Sequence, residues 1–286
     1  MQFGTEPTAL ALLALYSSPS DSTVTREELE PLLACRRSNG LWPAVGVGEA
    51  GVSFWATALA VNTLMTLGAN PETFSASLDA LVHYRPLEAS WLVRLKFRLS
   101  DLQVRFDPTK YGWPWVPDTV SWVAPTSMAL ITLGRAKRQG LICGSAVEKR
   151  LRLGAEMLLD RACPGGGWNA GNAVVYGVPL RPHIDATALA LAALRFHYHL
   201  PIIHNSLTWM LNRIDCPSAY SLASVILAAA AYKDVRSDVP PALDMARDRL
   251  ATMVEDPRAV EDTSTVALAA PALGPENTNN PFEAKG

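Results

Sequence analysis

Nearly uncharged apolar stretches alternate with charged, amphipathic ones along the whole chain, and the alternation predicts two kinds of helix. The first kind spans 6–16, 53–67, 124–136, 185–198, 218–232 and 263–270. These segments are packed with Ala and Leu, as helices buried on most of their circumference would be. The second kind spans 25–37, 72–84, 88–103, 145–162, 201–213 and 241–254. It carries Glu27, Glu28, Lys149, Arg150, Asp244, Arg247 and Asp248 at helical spacing, as outer helices with one wet face would. The alternation predicts an all-α fold, an (α/α)6 toroid with an inner and an outer ring and no sheet of three or more strands.

The inner segments share a repeated start. Thr-Ala-Leu-Ala opens three of them, at Thr8, Thr57 and Thr187, and weaker copies begin at Thr126, Ser221 and Thr265. Units that cannot bury their own apolar face must bury it against neighbours, so the array forms one core. The reading is therefore a single toroid domain over 1–274, followed by a polar tail at 275–286 that is extended or disordered. Pro7, Pro125 and Pro217 sit at or near the first turn of an inner helix, where the missing N–H is no loss. Asp185 and Asp262 place carboxylates near the positive end of a helix dipole.

Composition narrows the partners. Of 286 residues, 49% are apolar and only 18% charged, which suits a buried inner layer. Net charge is −2 with no basic block, so the sequence argues for no nucleic-acid surface. The densest basic stretch, Arg94, Lys96, Arg98 and Arg105, punctuates Leu95, Phe97 and Leu99. It reads first as the wet face of an amphipathic segment and second as an anion or lipid-headgroup site. Cys35, Cys143, Cys163 and Cys216 show no CxxC spacing, and a reduced cytoplasmic setting is the default. The longest apolar runs fall below the ~18 residues of a membrane span, which leaves peripheral membrane contact open.

Ahead of the inner segments stand Asn39-Gly40-Leu41-Trp42, Tyr111-Gly112-Trp113-Pro114-Trp115 and Pro164-Gly165-Gly166-Gly167-Trp168-Asn169. Glycine permits a tight turn and tryptophan wedges between neighbouring helices, a packing device before anything else. Gly-Trp turns leading into Thr-Ala-rich helices resemble the prenyltransferase and squalene-oxidase repeat of terpenoid cyclases and protein prenyltransferase β subunits. The resemblance runs from about residue 5 to residue 272 and is closest to a single-toroid member of the squalene–hopene cyclase kind. It implies a toroid with a central, largely apolar cavity for an isoprenoid or similarly apolar small molecule.

The sharpest local match is Pro182-His183-Ile184-Asp185-Ala186-Thr187-Ala188. Class II terpene cyclases carry Pro-Asp-x-Asp-Asp-Thr-Ala there, so the resemblance places Asp185 as the catalytic acid with His183 beside it. His183 and Ala186 replace the two other carboxylates. Protonating an alkene demands a strong acid, whose anion is stabilised by hydrogen bonds and a helix N-terminus. The plain alternative makes Asp185 a helix cap with His183 on the rim.

A prenyltransferase-type zinc site would need an Asp, a Cys two residues later and a distant His. Here Asp215 and Cys216 are adjacent and no His lies beyond His204. His197 and His199 are two apart and Pro201 ends their helix before His204, which favours helix C-terminal cations over a ligand set. No metal and no other cofactor is expected. Trp55, Trp113, Trp115, Trp122, Trp168, Tyr176 and Tyr220 supply aromatic faces near inner-helix starts, the surfaces that would stabilise a carbocation. Two functions follow. One is acid-initiated cyclisation or isomerisation of a polyene, by an isomerase or lyase. The other is a non-catalytic lipid- or peptide-binding toroid. A single barrel favours a small ligand or a partner subunit.

Overall fold

The computed structural model describes residues 4–16, 25–44, 51–99, 104–256 and 262–274, together with Asn280 and Phe282. Among them run α1 (Thr5–Leu15), α2 (Arg26–Leu33), α3 (Phe54–Thr66), α4 (Ser75–His83), α5 (Trp91–Leu99) and α6 (Val123–Arg138). After these come α7 (Ser145–Asp160), α8 (Ile184–Ala193), α9 (Pro201–Leu211), α10 (Ala219–Ala229), α11 (Val239–Val254) and α12 (Thr263–Leu273). Each of α1, α3, α6, α8, α10 and α12 packs on two others of the set, and α12 closes back on α1. That is the inner ring of an (α/α)6 toroid. Its helices lie parallel because an outer helix runs back between successive members. Alanine-rich sequence makes the ring possible by letting helix backbones approach, and every residue from Phe54 to Met65 of α3 is buried.

The expected outer ring is realised by α2, α4, α7, α9 and α11. The sixth expected outer segment, 88–103, is corrected: its helix α5 packs mainly against the short helical turn Leu87–Ala89 and stands off the ring. At the seam between α12 and α1 the described residues supply no outer helix. A groove of about 540 Å³ runs along α1, bounded by Glu28 and Pro31 of α2 and by Thr263 at the start of α12.

Three turns repeat one joint. Trp42, Trp113 and Trp168 are wholly buried. Each indole N–H donates to a carbonyl late in an outer helix: Leu32 at 2.8 Å, Leu81 at 2.9 Å and Leu158 at 2.6 Å. Those acceptors belong to α2, α4 and α7, so the joint skips α5, which is an insertion. Carbonyls in the last turn of a helix lack the usual i+4 donor; Leu32 and Leu158 also accept the N–H of Cys35 and Arg161, three residues on. Each Trp backbone N–H donates over 2.9 Å to a threonine hydroxyl at the fourth position of the next inner helix, Thr57, Thr126 or Thr187. The recurring threonine is thus the receptor of the tryptophan turn. A Cβ on Gly112 would stand 2.1 Å from the Thr126 hydroxyl, so glycine is required immediately before that tryptophan.

The expectation of no three-stranded sheet is also corrected. β1 (Val104–Arg105), β2 (Val174–Val175) and β3 (Val178–Pro179) form a three-stranded antiparallel ribbon. Its strands are two residues long, against a usual ~5–6, and it decorates the rim without forming a layer of the core. Tyr176 and Gly177, both with positive φ, make the β2–β3 turn. Most of the expected 275–286 tail lies outside the described residues. Asn280 and Phe282 within it are buried, and the Asn280 amide donates to the Leu227 carbonyl at 2.7 Å.

Candidate active site

The second residue of each inner helix faces the same mouth of the ring, because the helices are parallel and start level. Those residues are Glu6, Trp55, Ala124, Asp185, Tyr220 and Ser264, all buried or half-buried. Electrostatic influence links four of them, Glu6, Trp55, Asp185 and Tyr220. Burial pushes the Tyr220 phenol well above its usual range, and the charges of Glu6, Asp185 and Asp262, from three other elements, push it further. Burial likewise raises the Glu6 carboxyl, against a smaller lowering pull from the Trp55 indole. The Trp55 N–H itself is buried with no well-formed acceptor.

Asp185 sits in the first turn of α8 with Oδ1 buried and without a hydrogen-bond partner. The α8 N-cap is His183, whose side chain makes no capping bond and is exposed, while its backbone N–H donates to the Trp168 carbonyl at 2.8 Å. Ala186, in the place of the third family carboxylate, is buried. Asp262 is the carboxylate that does cap, accepting from the Thr265 N–H at 2.9 Å and its hydroxyl at 2.7 Å, bonds that lower its pKa.

The aromatic candidates divide. Trp55 and Trp115 rings lie 5.8 Å apart at the start of α3, where the Phe54 N–H donates to the Trp115 carbonyl. Trp122 is the N-cap residue of α6, and Gly171 lies against its ring. Trp115 and Trp122 keep exposed faces. Trp113 and Trp168 do not: both are sealed in their joints, and the Arg150 guanidinium covers Trp113 with Cζ 3.7 Å from a ring centroid. A sealed indole offers no face to a ligand, so these two belong to the scaffold. Tyr176 is exposed at the tip of the β2–β3 turn.

Two groups of possible metal ligands remain, the first away from the mouth and the second near enough for the Asp185 charge to help raise the Cys216 thiol, behind burial. The His197 and His199 rings are 6.4 Å apart, His204 packs on Tyr198, and burial followed by the His199 charge lowers the His197 pKa. Asp215 and Cys216 are held through their carbonyls by Arg249. Among the described residues no three potential metal-ligating side chains converge.

Sequence reasoning missed Glu6. The signal was present: Glu6, Trp55 and Asp185 each stand two residues before a threonine of the repeated start, so one helical position builds the mouth.

No protein-family model and no curated protein matches the chain. Among solved structures, cellobiose 2-epimerase from Spirochaeta thermophila DSM 6192 is similar at 11% identity and a TM-score of 0.51, over 93% of this chain and 73% of that one. Salmonella alpha-2-macroglobulin reacted with methylamine is similar at 16% identity and a TM-score of 0.48, over 94% of this chain. The chain spans only 16% of the length of that macroglobulin. The likeness to the epimerase is one of fold, an (α/α)6 toroid.

Proposed function

We propose that the mouth binds an isoprenoid or similar polyene and isomerises or cyclises it by proton transfer, with Asp185 as the acid. The observation that carries this is Asp185 Oδ1, buried and unpartnered beside Tyr220 in a mouth that also holds Glu6 and aromatic faces. An unpartnered buried carboxylate oxygen costs stability unless a ligand completes it, and such groups concentrate at functional sites. The Asp185 carboxyl proton adds to an alkene carbon and leaves a carbocation on its neighbour. The π faces of Trp55, Trp115 and Trp122 and the nearby carboxylates stabilise that cation. Loss of a proton from an adjacent carbon to a carboxylate then gives the isomerised or cyclised alkene, with the acid regenerated overall. His183, exposed on the rim, takes no step in this scheme. The repeat resembling that of terpenoid cyclases supports the substrate class.

Asp185→Asn tests the proposal, since the amide keeps the shape but cannot supply an acidic proton. Prenyl alcohols, prenyl diphosphates and squalene-like polyenes form the panel, with cellobiose as a control for the chemistry of the structural neighbour. Turnover of a polyene should fall at least about a hundredfold, with unchanged melting. Retained turnover would remove Asp185 from the reaction. The second reading, a non-catalytic lipid-binding toroid, is favoured by the replacement of two family carboxylates by exposed His183 and buried Ala186. It predicts polyene binding that quenches mouth tryptophans with no turnover in either protein.

A further inference from the structure

A crevice of about 400 Å³ opens between the second halves of α6 and α8, with α7 on its flank. Its walls are apolar, among them Ile131 of α6, Leu151 of α7 and Ala192 of α8, and Gly134 on α6 leaves the space open. Ala193 on its α8 side stands eight residues past Asp185, about 12 Å along the helix axis, so the crevice lies apart from the mouth. Cationic and aromatic side chains edge it: Lys137, Arg138, Phe196 and His197. The Phe196 ring, 59% exposed, has two guanidiniums on it, Arg138 with Cζ 5.2 Å and Arg195 with Cζ 4.9 Å from the centroid. Burial and then the Arg195 charge lower the Arg138 pKa. His197 lines the crevice with Nδ1 buried and without a hydrogen-bond partner. Among the described lining residues none is a carboxylate, and neighbouring Glu148 pairs with Lys137 at 2.5 Å.

We infer that this crevice binds a small anionic amphiphile, with an oxyanion head against Arg138, Arg195 and His197 and an apolar chain between α6 and α8. Cations in the last turn of a helix offset the negative end of its dipole, which accounts for each of them singly. It does not account for guanidiniums from two elements gathered on one aromatic ring beside an apolar hollow, where each raises the cost of charging the other. A carboxylate or a phosphate monoester placed there turns that repulsion into two attractions. Each guanidinium presents five N–H donors in a planar fork, so it can take an oxyanion in addition to bonds within the protein. The buried His197 Nδ1 gains a polar partner from the same head group, which removes the cost of leaving it unpaired. The volume falls within the ~300–1,000 Å³ of small-molecule pockets, and walls that are apolar with a few convergent polar groups are the usual chemistry of such sites. The site stands whether or not Asp185 performs chemistry.

Calorimetric titration of the full chain with octanoate, octyl phosphate and octanol tests this, since the three share a chain and differ in the head. At least one of the anions should bind at least about tenfold more tightly than octanol, and the tighter of the two names the head group. Arg138→Gln with Arg195→Gln should bring that anion down to the affinity of octanol. Gly134→Leu should fill the crevice and weaken the anion at least about tenfold. A Cβ on Gly134 meets nothing closer than Arg138 Nη1 at 3.5 Å, and leucine is the better helix former, so this variant should melt no lower than the native protein. Octanol binding as tightly as both anions would reduce the crevice to an apolar hollow and overturn the inference. No binding of either anion, or binding that Gly134→Leu leaves unchanged, would do the same. So would a dimer in light scattering that Gly134→Leu abolishes, with no anion bound, which would assign the crevice to a second copy.

Discussion

The turns that enter α3, α6 and α8 are closed by a buried tryptophan, whereas those that enter α10 and α12 are closed by side-chain caps. Before α10, Ser218 accepts the Ser221 N–H at 3.2 Å, and Arg249 reaches over from α11 to the carbonyls of Asp215 and Cys216. Before α12, Asp262 caps through Thr265. One arc of the ring thus joins inner and outer helices through rigid indoles bonded at both ends, and the other through short polar contacts. The mouth divides along the same line. Its aromatic wall, Trp55, Trp115 and Trp122, stands on the locked arc, and so does Asp185, on α8. Tyr220 and Asp262 stand on the capped arc, and Glu6 on α1, whose N-cap Gly4 makes no side-chain capping bond.

The largest test of this division sets scaffold tryptophan against mouth tryptophan. Trp168→Ala should destabilise the fold by about 3–5 kcal/mol, because it empties a sealed site and removes the indole bond to the Leu158 carbonyl, which keeps only the Arg161 N–H. Trp113→Ala should behave alike. Trp122→Ala, at a position 37% exposed, should cost about 1 kcal/mol or less and show its effect in ligand binding. Chemical denaturation of the variants measures the difference. Similar losses at Trp168 and Trp122 would erase the distinction between the two kinds of tryptophan.

A smaller contrast concerns the hydrogen bonds that end each joint. Thr187→Val keeps the shape but leaves the buried Trp168 N–H without an acceptor, at a cost of about 1–3 kcal/mol. The Trp168 carbonyl is spared, since the His183 N–H still donates to it. On the capped arc, Ser218→Ala removes a cap open to water and should cost about 1 kcal/mol. Denaturant midpoints at matched slopes should rank Thr187→Val below Ser218→Ala; the reverse order would make the caps the stronger joints.

Much of this architecture was legible because buried helices and wet helices differ in composition, and because the repeated threonine marks each inner start. The boundaries at 53–67 and 263–270 fall within a few residues of α3 and α12. Segment 88–103 was misplaced for a physical reason. Helical periodicity shows that Leu92, Leu95 and Leu99 share a face, but not whether that face turns inward or outward. The two-residue strands of the rim ribbon are too short to carry any alternation. Asp185 was singled out by its motif. Glu6 was not, since Thr5-Glu6-Pro7 looks like an ordinary acidic first turn until the shared helical position brings its charge to bear on Tyr220.

That place gives the smallest and most specific prediction. Burial raises the Glu6 carboxyl above its unfolded value, so the folded protein holds this proton more tightly than the unfolded chain. The favourable contribution is complete below the unfolded carboxyl range and is lost as pH rises through the raised folded value. Asp262 runs the other way: its lowered carboxyl contributes stability above the unfolded range that is lost as pH falls through the lowered value. Glu6→Gln should therefore flatten the decline in stability just above the ordinary carboxylate range, and Asp262→Asn should flatten the decline below it. The expected difference is about 1 kcal/mol or less for Glu6 and smaller for the exposed Asp262, whose charge solvent screens, readable as shifts of denaturant midpoint across a pH series. If Glu6→Gln leaves the higher-pH limb unchanged, Glu6 is solvated in solution, and the acid wall of the mouth reduces to Asp185 and Asp262.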